Sequence, residues 1–501
     1  MKNAQIEMNP NKIVRGLGKL PEEFTKKDLI KFIENNNIKM VNFRYVGGDG
    51  RLKILNFVIN SKAQLDRLLS TGERVDGSSI FSYIDSASSD LYVIPRYKTA
   101  YVNPFSQIPA VDILCSYYTN KGVPLASSPE NIVSQAHESL KKSTGLSFEA
   151  MGELEYYVMS DKQQIYPATT QKGYHESSPF SKWEMLRCEA MEAIAQAGGK
   201  IKYSHSEVGY IVGKQQDMEQ NEIEFMPVPV EDAADQIIIA KWILRMLGYK
   251  YGVNISFAPK ILVGHAGSGL HIHTKLVKNK KNMMVEKNKL SKIAKRAIAG
   301  YLAMAPSLTA FGNTVPLSFL RLIPHQEAPT NICWGDRNRS VLVRVPLGWL
   351  GVDNMIHDAN PQDKGKFPKM ESNQTVEFRC PDGSANIHLL MAGLVVAARH
   401  GLQMKDALKV VDKLYVDINI FHEEHKKTRD KLDQLPTSCW ESADNLLRDR
   451  KIYEKDGVFP PVAIDGIAKM LKSYNDKNLS ERLYNKDDEI KKLVEAYLYT
   501  A

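Results

Sequence analysis

The chain has 501 residues, 43% hydrophobic and 25% charged, with 66 basic against 58 acidic residues and a net charge of +8. That length exceeds one small core and points to two or three domains of an ordinary soluble kind. A charge so modest, spread along the whole chain, argues against nucleic acid as a partner. The basic clusters Lys275 to Lys281 and Lys426-Lys427 carry no interleaved aromatics and read as solvated loops or helix faces.

Cys115, Cys188, Cys333, Cys380 and Cys439 are far apart, odd in number and form no C-x-x-C pair, which suggests a reducing compartment with free, mostly buried thiols. The first residues contain no apolar signal region, and the longest apolar run, Leu389 to Ala398, is too short to cross a bilayer. A cytoplasmic protein with no membrane contact is expected.

Residues 1–28 are polar and basic, offer little to a core, and read as an arm or a short capping helix. A helical signal over Lys26 to Asn36 precedes two alternating β-rich runs, Lys39 to Val46 and Leu52 to Ile59, joined by Gly47-Gly48-Asp49-Gly50, which make a hairpin. A helical piece at Ala63 to Leu69 and strands at Leu91 to Pro95 and Val111 to Ser116 complete a small α+β domain over 29–117. Within it, Asp76-Gly77-Ser78-Ser79-Ile80 is too short and polar for a strand and reads locally as an Asx or Ser turn.

A larger unit over 118–501 opens at Ser128-Pro129-Glu130, where a cap residue, a proline and an acid announce a helix to about Lys142. Met151 to Val158 reads as a strand, and its alternation puts Glu153 and Glu155 on one face, with Leu154, Tyr156 and Val158 on the other. Two like charges on a half-buried face repel unless cations sit between them; a strand with a wet polar face is the plainer alternative. A helix follows from about Lys182 to Gly198-Gly199, then a strand at Ile201 to Gly209 and, after a polar insertion, a strand at Asn221 to Met226. Ala233 to Leu247 is helical, and strands recur at Ile255 to Val263, Leu270 to Val277, Val341 to Pro346 and Thr375 to Arg379. Strands in serial, mostly antiparallel order with helices between them favour a sheet-based α+β catalytic domain over a doubly wound one, ending in a charged helical tail.

The polar alternation returns downstream. Gly267-Ser268-Gly269 leads into a strand that puts His271 and His273 on one face, Glu377 and Arg379 share a face, and Glu207 and Glu222 lie near strand ends. Glu153, Glu155, Glu207, Glu222, Glu377 and His271 make an oxygen-rich set that suits magnesium or manganese rather than zinc, enough for two ions. Arg321, Arg337, Arg339, Arg344 and Arg379 crowd nearby, and arginine forks opposite two metals describe a site for a nucleoside triphosphate and an anionic acceptor. Surface ion pairs are the alternative for any one of these arginines.

From about residue 37 onward the pattern resembles glutamine synthetase of the bacterial and archaeal type I kind. Seven motifs in order carry the resemblance: Asp76-Gly77-Ser78-Ser79-Ile80, Glu153-Leu154-Glu155, His205-Ser206-Glu207, Gly267-Ser268-Gly269-Leu270-His271, Arg321-Leu322-Ile323-Pro324 with Glu327-Ala328-Pro329, Asn338-Arg339-Ser340, and Glu377-Phe378-Arg379. The resemblance implies a small β-grasp domain before a catalytic domain built on a curved, mostly antiparallel sheet with flanking helices. It implies ATP as substrate and two or more Mg2+ or Mn2+ ions, one held by Glu155, Glu207 and Glu222 and another by Glu153, His271 and Glu377. Asp76, Ser79, Tyr174 and Glu207 would hold ammonium, with Asp76 as the base. Gly267, Arg321, Glu327 and Arg379 would grip glutamate, Glu327 on a flap that excludes water. His273, Thr274, Arg339 and Arg344 would meet ATP, Arg339 neutralising the phosphoryl group in flight. Glutamine would form through γ-glutamyl phosphate, in a double-hexamer dodecamer with active sites between subunits.

Four departures qualify the match. His265-Ala266 stands where relatives often have Asp-Asn, the Glu207–Glu222 gap is longer than usual so that Glu224 competes with Glu222 as ligand, Thr375 replaces a common arginine, and no adenylylation motif is recognisable around Leu414-Tyr415-Val416. They keep open a γ-glutamyl ligase of the same fold that uses a polyamine or another amine.

Overall fold

The computed structural model describes residues 2–323, 328–348, 355–365 and 373–500. The small domain is a sheet of β1 (Met40–Val46), β2 (Leu52–Val58), β3 (Glu73–Asp76), β4 (Asp90–Pro95), β5 (Tyr101–Val102) and β6 (Ala110–Thr119), in the order β2-β1-β6-β4-β3 with β5 beside β6. β1 and β2 form the expected hairpin, closed where Gly50 takes a left-handed turn at φ 75°, while β1 and β6 run parallel. Helices Lys26–Asn35 and Lys62–Thr71 cover one face, and Val41, Phe43, Val93, Val111 and Ile113 are fully buried between the layers.

The N-terminal segment contributes more than its polarity suggested. Helix Lys12–Leu17 buries Ile13 and Val14 completely in this core, and its cap residue Asn11 donates from Nδ2 to the Ala100 carbonyl at 3.1 Å. A helix this short shows no readable periodicity, so its apolar pair was invisible in the sequence.

The larger domain is a curled sheet of β7 (Ser147–Asp161), β8 (Ile201–Val212), β9 (Gln216–Phe225), β10 (Val228–Pro229), β11 (Asn254–Ser256), β12 (Leu270–Lys278), β13 (Lys281–Asn282), β16 (Trp334–Asp336), β17 (Val343–Val345) and β18 (Val376–Phe378). Two short strands, β14 (Val285–Glu286) and β15 (Lys289–Leu290), pair only with each other. The path runs β16-β17-β18-β12-β7-β9-β8, antiparallel at every step except β16 to β17. Helices Val230–Tyr251, Lys292–Gly312 and Ile387–Gln403 supply the cover, and Leu154, Tyr156, Val158, Ile272 and Phe378 are fully buried in the core they share with those helices. Packing of such apolar faces is the main source of stability here.

Two strand readings change. The polar insertion before Glu222 is no loop: it lengthens β8 and β9 into one hairpin whose tip lies at 213–215. The strand expected at Ile255 to Val263 stops at Ser256, where the chain nears Pro259, which cannot donate to a ladder.

The two domains are bolted together by buried polar contacts. Arg96 of the small domain makes a bidentate pair with Asp235 at 2.7 and 3.0 Å, and His388 reaches the same carboxylate at 3.0 Å. Arg44, paired with Asp112 at 2.8 Å, lies over the Trp242 ring at 4.1 Å. Among the described residues no single helix is long and apolar enough to cross a membrane. All five cysteines are free, and only Cys188 is exposed.

Candidate active site

The register of the central strands lays the polar side chains in rows. On the face of β7 away from the helices, Glu155 stands opposite Glu222 of β9, which stands opposite His205 of β8. In the next row His271 of β12, Glu153, Glu224 and Tyr203 lie side by side. His273 of β12, Glu377 of β18 and Arg344 of β17 form a third. Period-two alternation aims every one of these into a cleft of about 770 Å³ whose wall also includes Tyr174, Glu207, Gly267, Arg321, Arg339 and Arg379.

Within the cleft the charges are close. Glu153 contacts His271 Nδ1 at 2.9 Å and His273 Nε2 at 2.8 Å, and the His271 ring also lies 3.6 Å from Glu377. His205 Nε2 sits 3.1 Å from Glu222. Glu377 accepts from Arg344 Nη1 and Arg379 Nε, each at 2.9 Å, and Arg379 also donates to the Arg339 carbonyl. Glu155 accepts from the Gly269 amide at 2.8 Å and from Gln220 Nε2 at 2.9 Å, and Gln220 also holds the Gly267 carbonyl. The glycine loop is needed for this approach: a Cβ on Gly267 would lie 2.5 Å from the Pro259 carbonyl, and one on Gly269 would lie 2.6 Å from Arg321 Nη2.

The titration pattern follows from burial and neighbours. Burial, then the charges of Glu153, Glu155, Glu207 and Glu224, pushes Glu222 well above the ordinary carboxyl range. Burial alone would raise Glu153 too, but His273 and His271 hold it well below. Among the described residues donor atoms converge in three groups, Glu153–His273–Glu377, Glu153–Glu222–His271 and His205–Glu207–Glu222. Carboxylate-rich groups of this kind could hold a hard divalent cation.

All six expected metal ligands reach this cleft, and so do Tyr174, Gly267, His273, Arg321, Arg339, Arg344 and Arg379. His205 and His273 also come within ligand range, His273 having been read as a nucleotide contact and His205 only as part of a motif. Thr274 does not reach it: one residue on from His273, it turns to the helix side, where its hydroxyl meets the Val376 carbonyl and Tyr301. Arg337 faces another groove, with Asp336 and Lys295. Glu327 lies outside the described residues. Asp76 and Ser79 are exposed in the small domain, away from the cleft of their own chain, and form the Asx turn read locally, with Asp76 accepting from the Ser78 amide at 3.0 Å and the Ser79 hydroxyl at 2.6 Å. The lengthened hairpin leaves Glu222 in register with Glu155; Glu224 is instead held by Lys202 at 2.6 Å.

Comparison with known families decides the lineage. The glutamine synthetase catalytic-domain profile matches residues 126–482, and the glutamine synthetase β-grasp profile matches 37–120. The chain belongs to the glutamine synthetase family. Among its relatives, glutamine synthetase of Clostridium saccharobutylicum is 28% identical over 441 residues, covering 86% of this chain and 91% of that protein. The Thermus thermophilus glutamine synthetase is 27% identical, covering 87% and 92%. Solved structures share the fold: Plasmodium falciparum glutamine synthetase superposes with a TM-score of 0.73 at 20% identity, covering 91% of this chain and 97% of its own. GmaS in complex with ADP does so with a TM-score of 0.72 at 18% identity, covering 92% and 99%. A ligase of the glutamine synthetase family thus carries the acidic cleft just described.

Proposed function

We propose that this glutamine synthetase family member joins ammonia to the γ-carboxylate of L-glutamate at the expense of ATP, releasing glutamine, ADP and phosphate. The observation that carries the reading is the set of carboxylates and imidazoles on one sheet face, confronted by Arg321, Arg339, Arg344 and Arg379. A carboxylate is a poor acyl donor, so its oxygen must first take the γ-phosphoryl group, and that transfer depends mostly on positioning and charge neutralisation.

The oxygen-rich donor groups fit magnesium or manganese, with Glu155, Glu207 and Glu222, joined by His205, at one position and Glu153, His271 and Glu377 at another. Bound there, such ions neutralise phosphate charge. Arg344, tied to Glu377, and Arg339 face the transferring group, and His273 lies beside the phosphate end. Arg321, Arg379 and the Gly267 backbone grip glutamate, with Glu327 as the flap residue that keeps water away.

Ammonium binds against Glu207 and Tyr174, and its proton passes to Asp76, backed by Ser79. Because those two residues lie outside the cleft of their own chain, they must come from a neighbouring copy, which supports a homo-oligomer, a dodecamer of two hexameric rings. A soluble cytoplasmic enzyme acting on small molecules, with no nucleic acid or membrane partner, completes the reading.

A second reading has an observation of its own. Tyr174 stacks on His175 at 4.2 Å, His175 lies 4.3 Å from His205, and Tyr203 lies 5.9 Å from His205, so aromatic faces surround the mouth beside Glu207. Such faces attract organic cations, and GmaS is a γ-glutamylmethylamide synthetase. ATP turnover with glutamate and either ammonium or a panel of amines, on the wild type and Asp76→Ala, separates the two. Glutamine formed from ammonium and largely lost in the variant is expected; turnover with an amine but not ammonium moves the enzyme to the second reading.

A further inference from the structure

The segment behind Arg339 ends in a group of histidine and glutamate side chains that do not line the cleft. Leu414 to Val416 runs along β16, with the Val416 amide donating to the Trp334 carbonyl at 2.8 Å, and the residues that follow, to Ile420, clamp the loop that carries Arg339. Asn338 Nδ2 donates to the Ile418 carbonyl at 2.8 Å and the Val416 carbonyl at 3.2 Å, while its Oδ1 accepts the Ser340 amide at 2.9 Å. The Ile420 amide in turn donates to Ser340 Oγ at 3.2 Å. Arg339 is therefore flanked on both sides by residues anchored to one strand-like segment.

That segment passes directly into His422-Glu423-Glu424-His425. The His422 and His425 ring planes are nearly parallel, at 6°, with centroids 6.2 Å apart. One oxygen, Glu424 Oε1, lies 3.8 Å from His422 Nδ1 and 3.4 Å from His425 Nε2. No lysine or arginine pairs with Glu424 among the described residues; the nearby Arg429 is turned to Glu423 at 3.8 Å and to the Ile420 carbonyl. Bonds of about 2.0–2.2 Å in a tetrahedral site place donor atoms roughly 3.3 Å apart; the His425–Glu424 separation already matches, and His422 must move inward to complete the set. The His422 side chain is 60% exposed, so it is free to swing the remaining distance. Two imidazoles and one carboxylate suit zinc or nickel rather than the magnesium class that the cleft favours.

We propose that His422, Glu424 and His425 form a surface site for one divalent transition-metal ion, and that its occupation stiffens the segment that anchors Arg339. The link is short: the His425 amide donates to the His422 carbonyl, the His422 amide to the Asn419 carbonyl, and the next residue, Ile420, holds Ser340. Metal on the exposed end thereby restrains the loop at the buried end, without contact with substrate.

Zinc titrated calorimetrically into the full-length protein, with magnesium in excess to occupy the cleft, tests this. The wild type should take up one more equivalent than H422A/H425A, and Glu424→Gln, an exposed conservative change, should weaken that equivalent about tenfold or more. Hydrogen exchange of the Ile420 amide should slow roughly tenfold on zinc addition in the wild type only. Equal stoichiometry in the wild type and the double variant would overturn the site, and zinc uptake with unchanged Ile420 exchange would overturn its coupling to Arg339.

Discussion

Glu222 is the residue on which the cleft's electrostatics turn. Buried among four other carboxylates, it is pushed well above the ordinary carboxyl value of 4.5 in the metal-free fold. The sign follows from that: the folded chain binds the extra proton, so the metal-free protein loses stability as pH rises through the raised value. A divalent cation binds only the carboxylate, so binding must expel the proton. Calorimetric titration with Mn2+ near neutral pH should therefore give heats that change with the protonation enthalpy of the buffer; buffer-independent heats would contradict a protonated Glu222. Most of this chemistry was legible because alternation is local: Glu153 with Glu155, and His271 with His273, declare a shared face within three residues. The same rule places Thr274 on the far side, and only the family resemblance put it in the site. Gln220, which orients Glu155, gave no signal, since its role depends on which strand lies opposite.

At the scale of elements, the β8–β9 hairpin does more than carry Glu222. Glu219, buried at 3% exposure, accepts from the Ser181 hydroxyl at 2.8 Å and the Lys182 amide at 2.7 Å, pinning the chain that includes Tyr174 along the outside of β8. Glu219→Ala leaves those donors without their acceptor and should cost about 1–3 kcal/mol of stability. By loosening Tyr174 it should also raise KM for the nitrogen donor more than it lowers kcat; an unchanged KM would separate this hairpin from the acceptor pocket. In the sequence this stretch looked like a polar insertion, because Asp217, Glu219 and Gln220 break the apolar signal of a strand. The structure satisfies Glu219 and Gln220 through side-chain hydrogen bonds, which composition cannot reveal. Among strands with one apolar face, β12 was readable to within one residue of its end, whereas β7 starts four residues before and ends three after its legible stretch.

For the whole molecule, the question is what fixes the small domain against the large one. Asp235 meets burial that would raise its pKa, but Arg96 and His388 hold it well below 3.8. A depressed carboxyl contributes stability above its unfolded value and loses it as pH falls through the folded value, so the domain junction should weaken in acid below about pH 4. Asp235→Asn breaks a mostly buried pair and should cost about 3–5 kcal/mol in urea unfolding at neutral pH, with the penalty shrinking in acid. A loss under about 1 kcal/mol would show that other contacts set the junction. Long-range pairs of this kind link residues 139 positions apart and leave no trace in local sequence. The central claim, that ATP activates the γ-carboxylate of glutamate in the β7 cleft, is tested most directly by isotope transfer. Glutamate carrying 18O in its γ-carboxylate is turned over with ATP, Mg2+ and ammonium, and the released phosphate is analysed by mass. One labelled oxygen per phosphate is the expected result, because the carboxylate oxygen attacks the γ-phosphoryl group and leaves with it; unlabelled phosphate accompanying amide formation would contradict the account.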